Sequence, residues 1–279
     1  MIKISADSTC DLGEYGNERG IVIMPLCVIL GDKSYRDGLE ITPQDIFEFV
    51  EKTGTLPKTS APTIADYEEF FAEQVKNGDK LIHFNISAKS SSSHDHAKEA
   101  AKAFSGNVFA IDSRALSTGQ GLLVMKAYDL VQEGLNAEEV VAQIEELIPK
   151  TNTSFVPDRL DYLYKGGRCS RMAMYGANIL KIHPLIEMHD GQLFADKKYR
   201  GNMQKCISSY IDDLREQYPE YDDTRCFITH SNADKELVEF AVQKTKECFA
   251  FKEILTTVAG SVITGHCGRN TLGLLFISK

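Results

Sequence analysis

The chain has 279 residues, 43% of them hydrophobic, which is enough for two packed domains, and two are favoured over one large one. Its formal net charge of -9 argues against general nucleic-acid binding, because neutralising phosphates needs a broad basic surface. No apolar run approaches the roughly 18 residues of a membrane-spanning helix, and the start Met1-Ile2-Lys3-Ile4-Ser5-Ala6-Asp7 is too short and too polar for a signal peptide's apolar region, so a cytoplasmic protein is expected. In chain order, the patterns at Ile2 to Ala6, Ile21 to Leu30, Leu81 to Ile86 and Val108 to Ile111 predict strands, the last three continuous enough to be buried on both faces. Helices fit between them. Thr42 to Thr53 opens on Thr42-Pro43, a cap followed by proline in the first turn, and Thr63 to Asn77 opens on Thr63 as its cap.

Alternating strands and helices predict an α/β layer with a mainly parallel sheet in the first half. The second half reads as a second α/β unit with a mixed sheet. Ile186 to Phe194 carries Asp190-Gly191 between strand-like arms, a hairpin signal. Strands at Arg225 to Thr229, Glu253 to Val258 and Thr271 to Ile277 interleave with helices at Met203 to Tyr218 and Ala233 to Phe249. The expected domains are residues 1–154 and 155–279, divided where the helical pattern Ala137 to Lys150 ends; no Pro/Gly/Ser-rich linker marks the division, so the two should pack firmly.

Cys10, Cys27, Cys169, Cys206, Cys226, Cys248 and Cys267 are scattered, odd in number and without a CxxC pair, so they read as reduced thiols and not as a disulfide frame or zinc site. No metal site is expected. His94 and His96 stand at i, i+2, which does not put them on one helix face; they read as surface histidines, and His230 receives no role. Between Lys165 and Lys205 there are eight Lys or Arg against three Asp or Glu, a basic island that suits an acidic partner or a phosphate, or is plain solvated surface.

Two hydroxyl-rich turns and one histidine carry the candidate chemistry. Ile86-Ser87-Ala88-Lys89-Ser90-Ser91-Ser92-Ser93 directly follows a predicted strand, and in open α/β sheets ligands sit outside the carboxyl ends of strands. A helical pattern from Asp95 onward adds backbone N–H groups of a helix N-terminus to the same turn, so these serines either receive an anion or cap that helix. Thr59-Ser60-Ala61-Pro62-Thr63 is either a second set of donors or an ordinary turn. Gly265-His266-Cys267-Gly268 holds an imidazole between glycines, either packed or aimed at a ligand.

These segments recur in order along the whole chain with Asp7-Ser8-Thr9-Cys10-Asp11, Asp112-Ser113 with Gly119-Gln120-Gly121, Lys165-Gly166-Gly167-Arg168 and Lys181-Ile182-His183-Pro184, and together they resemble the DegV family of bacterial fatty-acid-binding proteins, which includes the acyl-carrier subunit of fatty acid kinase. The resemblance implies a carrier without catalytic activity of its own and without a cofactor. Its carboxylate site would comprise Thr59, Ser60, Ser91, Gly265 and His266. Arg168, Arg171 and Arg200 would dock an ATP-dependent kinase subunit or steady an acyl phosphate that is passed on to phospholipid synthesis. A monomer is the default expectation, with transient contact to a membrane surface allowed. Ser92 departs from a family glycine, and Arg269-Asn270 from Pro-Gly; Asn270 is expected at positive φ, where Asn is the residue that best replaces Gly. A tunnel for the acyl chain is expected between the domains, lined from Ile23, Leu26, Phe155, Leu160, Leu163, Ile179, Ile182, Leu185 and Ile263, each of which is equally a candidate for plain core.

Other readings remain. Ser91, His266 and either Asp112 or Asp7 imitate the parts of a serine hydrolase, although no GxSxG elbow is present. A different small anionic lipid or phosphate ligand is a second alternative, without a GxxxxGK[ST] loop to support it, and a regulator acting by interaction alone is a third.

Overall fold

The computed structural model describes residues 1–104, 106–170 and 182–279. The first half runs β1 (Ile2–Asp7), α1 (Glu14–Glu18), β2 (Val22–Met24), β3 (Cys27–Leu30), β4 (Lys33–Arg36), α2 (Pro43–Thr53), β5 (Lys58–Ser60), α3 (Ile64–Val75), β6 (Lys80–Asn85), α4 (Ser93–Ala101), β7 (Val108–Asp112), α5 (Thr118–Gln132) and α6 (Ala137–Leu147). There follow β8 (Thr151–Asn152), β9 (Ser154–Phe155), α7 (Asp161–Gly166), β10 (Cys169–Ser170), β11 (Ile182–His189), β12 (Gln192–Arg200), α8 (Met203–Gln217), β13 (Tyr221–His230), α9 (Lys235–Cys248), β14 (Glu253–Val258), α10 (Ser261–Cys267) and β15 (Leu272–Ser278).

The architecture is the expected α/β. One sheet, in the order β2-β1-β6-β7, is parallel throughout. A second, β14-β13-β15-β8, is mixed, with only β13 and β14 parallel. Two smaller sheets, β10-β12-β11-β9 and β4-β3-β5, complete it. Thr42 and Thr63 cap α2 and α3 as predicted, each in a reciprocal capping box with Asp45 or Asp66. Asp190 and Gly191, both at positive φ, make the turn of the β11–β12 hairpin.

The differences have local causes. The single strand expected over Ile21 to Leu30 is two, because Pro25 supplies no N–H and the chain leaves the parallel sheet there, where the Leu26 N–H donates to Ser8 Oγ instead. Of the strands expected to be buried on both faces only β6 is, with Leu81 to Asn85 all buried; β7 is an edge strand and keeps Phe109 and Ala110 half-buried. The helix α5 has no clear periodic stripe because nearly its whole first three turns are buried. Its glycines allow close approach: a Cβ on Gly119 would stand 2.1 Å from Thr153 Oγ1, and one on Gly121 2.8 Å from the Cys10 carbonyl oxygen.

Through α5 the two halves share a core. Leu122, Leu123 and Met125 pack in one apolar cluster with Ile4 and Phe84 from the first sheet and with Phe227 and Leu275 from the second. The division drawn at 154/155 falls within β9, which pairs with β11, while β8 just before it pairs with β15. Hydrogen bonds also close across this seam. The buried hydroxyl of Tyr210 on α8 donates to the Ser154 carbonyl at 2.9 Å and accepts the Leu274 N–H at 3.0 Å. Tyr210→Phe leaves these backbone groups short of a partner and is expected to destabilise by about 1–3 kcal/mol, a fall of several degrees in Tm that thermal unfolding followed by circular dichroism would detect and an unchanged Tm would contradict.

Candidate functional site

Four strand ends converge on one cavity. Ile86 follows β6, Leu116 and Ser117 follow β7, Thr229 to Ser231 end β13, and Ala259 follows β14; all line a cavity of about 380 Å³. This is the position expected of a ligand in an α/β sheet, outside the carboxyl ends of its strands. The walls are mainly apolar, with Leu26, Phe155, Leu163, Leu193, Ile263 and Leu275 among them. Of the other expected wall residues, Ile23 packs against the first core, Leu160 lies in the cluster beside Phe155, Leu185 belongs to the second core, Ile182 is half-buried away from the lining, and Ile179 lies outside the described residues.

Hydroxyls and the His266 imidazole gather at one part of this lining. Thr59 and Ser60 end β5, whose pairing with β3 fixes the register as Val28 to Thr59 and Cys27 to Ser60. The short α10 brings His266: its first N–H groups, lacking a side-chain cap of their own, donate at 2.8 Å to Asp11 from Gly260 and at 2.8 Å to Asp37 from Ser261. His266 Nε2 is then 3.1 Å from Thr59 Oγ1. Ser91 sits in a turn whose Ser90 and Ser91 N–H groups both donate to the Ser87 carbonyl, and its Oγ accepts the Ser93 N–H at 3.2 Å and shares a hydrogen bond with Ser93 Oγ at 2.9 Å. Thus Ser91 caps the start of α4 and lines the cavity as well. Ser92, in place of a glycine, has φ -78 and ψ 3, a backbone open to any residue, so the substitution introduces no strain. Asn270 is at φ 61 as expected.

Burial, with the nearby Arg168 guanidinium, pulls the proton affinity of His266 down to about 4, so the imidazole is neutral at neutral pH. The site therefore offers neutral donors next to one exposed cation, with apolar walls behind them. A carboxylate fits this set, since it accepts from hydroxyls and imidazole and gains from the cation.

The DegV family model, described as "Uncharacterised protein, DegV family", matches residues 1–279. The chain belongs to the DegV family. A DegV domain-containing protein of Clostridium acetobutylicum is 33% identical over 280 residues, covering 100% of this chain and 99% of that one. Among solved structures, a fatty-acid-binding DegV protein from Thermus thermophilus shares 29% identity with a TM-score of 0.92, covering 100% of this chain and 99% of its own. A stearic acid-binding protein from Eubacterium ventriosum shares 27% identity with a TM-score of 0.87, again over 100% and 99%.

In this DegV protein Thr59, Ser60, Ser91 and His266 all line the cavity. Gly265 does not; it packs on Pro57, where an added Cβ would come within 2.9 Å of Cγ, so its part is to let α10 approach β5. Arg168, expected in a docking surface, is exposed yet lines the cavity too. Arg200 ends β12, exposed and away from the lining, and Arg171 lies outside the described residues. Part of the basic island is neutralised internally, Lys197 pairing with Asp213 at 2.7 Å. The parts of a hydrolase are not joined: Ser91 bonds Ser93, His266 bonds Thr59, Asp7 accepts from Thr9, Gln120 and the Ile86 N–H, and Asp112 accepts from the Ala88 and Arg114 N–H groups.

Three histidines differ from expectation. His94 is buried, not on the surface, and among the described residues its Nδ1 has no hydrogen-bond partner; His96 is half-buried with Nδ1 2.7 Å from the Pro62 carbonyl oxygen. His230 lines the cavity. Its position at the end of a predicted strand was the available signal. Away from the cavity lining, ligand atoms of Glu187, His189 and Asp196 on the β11–β12 hairpin lie within 4.8 Å of one another, a grouping that strand alternation alone does not announce. Burial, reinforced by the neighbouring Asp196 carboxyl, pushes Glu187 from its ordinary value of 4.5 up to about 7.

Proposed function

We propose that this protein binds one long-chain fatty acid, carboxylate at Thr59, Ser60, Ser91 and His266 and acyl chain in the cavity, and presents that carboxylate to an ATP-dependent fatty acid kinase subunit in the cytoplasm. The observation that carries this reading is a largely apolar cavity into which β5, the turn after β6 and α10 each contribute hydroxyl or imidazole groups. Hydrogen bonds to a charged group contribute about 1.5–3 kcal/mol each, while desolvating a carboxylate costs several kcal/mol, so the donors mainly offset desolvation. The tail supplies the gross affinity, at about 0.8 kcal/mol per buried methylene.

The exposed guanidinium of Arg168 in the cavity lining supports a role for the basic surface in transfer. Arg168, Arg171 and Arg200 would steer an acidic kinase surface and steady the phosphate that forms. The kinase would break the bond between the γ-phosphorus of ATP and ADP and make one from that phosphorus to a carboxylate oxygen. This protein would supply binding and orientation as a monomer, needing no cofactor and doing no chemistry itself.

Native mass spectrometry of the protein purified from bacteria is expected to show one bound long-chain fatty acid, released and identified on extraction. Ligand-free protein that also fails to take up added fatty acid would overturn the assignment.

A further inference from the structure

The cavity has a second group of polar side chains, after β7, at the end of β13 and just before β15, and nearly all of them are already paired. Thr229 Oγ1 and Thr118 Oγ1 are 2.6 Å apart, Ser231 Oγ donates to Thr264 Oγ1 at 3.0 Å, Ser117 Oγ to Asp11 Oδ2 at 2.5 Å and Thr271 Oγ1 to the Cys267 carbonyl at 2.9 Å. Toward an acyl chain these groups behave as apolar walls, since their donors are engaged.

His230 is different. Its Nδ1 accepts the Ala233 N–H at 3.2 Å. A ring nitrogen that accepts carries no proton, so the neutral imidazole places its hydrogen on Nε2. Burial lowers the proton affinity of this histidine, consistent with the neutral form. Among the described residues nothing pairs with Nε2, and it is not one of the polar atoms sealed inside the protein. The residue lines the cavity and is half-buried.

Its place along the cavity follows from α10. The His230 carbonyl accepts the Ala259 N–H at 2.9 Å, just before α10 begins, whereas His266 is in the last turn of that helix. At a rise of about 1.5 Å per residue from Ala259 to His266, the His230 backbone stands on the order of 10 Å from that of His266 along the helix direction. A ligand whose carboxylate lies at His266 and whose chain follows α10 therefore passes His230 part-way down its length.

We propose that His230 Nε2–H is a second polar station for the ligand, and that the cavity selects acyl chains bearing a mid-chain oxygen, as a hydroxyl or an oxo group, over unsubstituted chains. This rests on the reading that a fatty acid carboxylate sits at Thr59, Ser91 and His266. An unsubstituted chain drawn across Nε2–H displaces water and leaves the donor unpaired, whereas an oxygen on the chain accepts from it. Sites built to hydrogen-bond a substrate oxygen discriminate through that unpaired group.

The test is displacement of a bound fluorescent fatty acid by stearic acid and by octadecanoic acids with a hydroxyl or oxo group at successive mid-chain carbons, using wild type, His230→Leu and His230→Phe. In wild type at least one oxygenated acid is expected to bind about tenfold more tightly than stearic acid, the factor that about 1.4 kcal/mol makes. Both variants should lose that preference while still binding stearic acid. Stearic acid equal to or tighter than every oxygenated acid in wild type overturns the inference and leaves fatty-acid binding standing, as does a preference that survives in the variants. If no acid displaces the probe, the fatty-acid reading itself fails and this inference with it. The wild-type comparison needs no substitution, so a variant that failed to fold would not remove the deciding measurement.

Discussion

Ser91→Ala and His266→Ala are each expected to weaken fatty-acid binding by about 10- to 150-fold, the factor corresponding to one charge-assisted hydrogen bond of 1.5–3 kcal/mol. Each removes a donor from a site whose remaining polar contacts hold the loop itself. Ser91 Oγ accepts the Ser93 N–H and shares a hydrogen bond with Ser93 Oγ, so in Ser91→Ala the neighbouring Ser93 loses a partner as the carboxylate does. His266 meets Thr59 at 3.1 Å, and its loss also frees the Thr59 hydroxyl to turn. The two effects should not add, because both groups serve one carboxylate. Isothermal titration of ligand-stripped protein would measure the affinities, with melting of the empty variants as a control for folding. Wild-type affinity in both variants would place the carboxylate elsewhere. A loss of unfolding free energy in the empty protein as large as the loss of binding free energy would mean these residues serve packing and not the ligand.

The polar loops that line the cavity were legible in the sequence because each is local: a hydroxyl run immediately after a strand, and a histidine between glycines, announce themselves within ten residues. Periodicity likewise located most strands and helices, and the two threonine caps. What eluded the sequence depends on contacts between distant segments. The helix α5 is buried against both sheets, so it lacks the polar stripe that marks a helix, and its close contact with Thr153 is visible only once β8 and β9 are placed. The cavity walls show the same limit. Leu26, Phe155, Leu163 and Ile263 line it and Ile23, Leu160, Ile182 and Leu185 do not, although nothing in their local patterns separates the two groups. Ser92 stands where the family has a glycine, and only its φ shows that no left-handed backbone is required there. His230 carried no sequence motif, and that one of its ring nitrogens has no partner among the described residues becomes apparent only when the Ala233 N–H is seen on the other one.

Raising the pH from about 6.5 to about 8 is expected to lower the Tm of the ligand-free protein, and Asp11→Asn to remove part of that fall. Asp11 is buried, and its hydrogen bonds come from Ser117 Oγ and the Gly260 N–H. Among the described residues it has no ion-pair partner. Burial, reinforced by the nearby Asp37 and Asp7 carboxyls, outweighs those hydrogen bonds and pushes Asp11 from its ordinary value of 3.8 up to about 8. Burial raises Asp7 and Asp37 as well. Between the unfolded and folded values the native state holds a proton that the unfolded chain has released, so stability from this group is fully present below the unfolded value and is lost as pH rises through the folded one. The slope is about 1.4 kcal/mol per pH unit for each group still protonated in the fold. The histidines act at the other end: His83 and His266, lowered by burial to about 3 and about 4 from 6.5, lose stability as pH falls below that ordinary value. Above about 6.5 the carboxylates therefore set the slope. In Asp11→Asn the amide oxygen still accepts from Gly260 and the amide nitrogen donates to Ser117, which reproduces the protonated acid without a titrating group. Thermal melts across this range should show the variant losing less Tm than wild type, by several degrees at the alkaline end. Parallel curves for the two proteins would mean that Asp11 is ionised in the fold throughout, and that the start of α10, which carries His266, is held by a charged carboxylate.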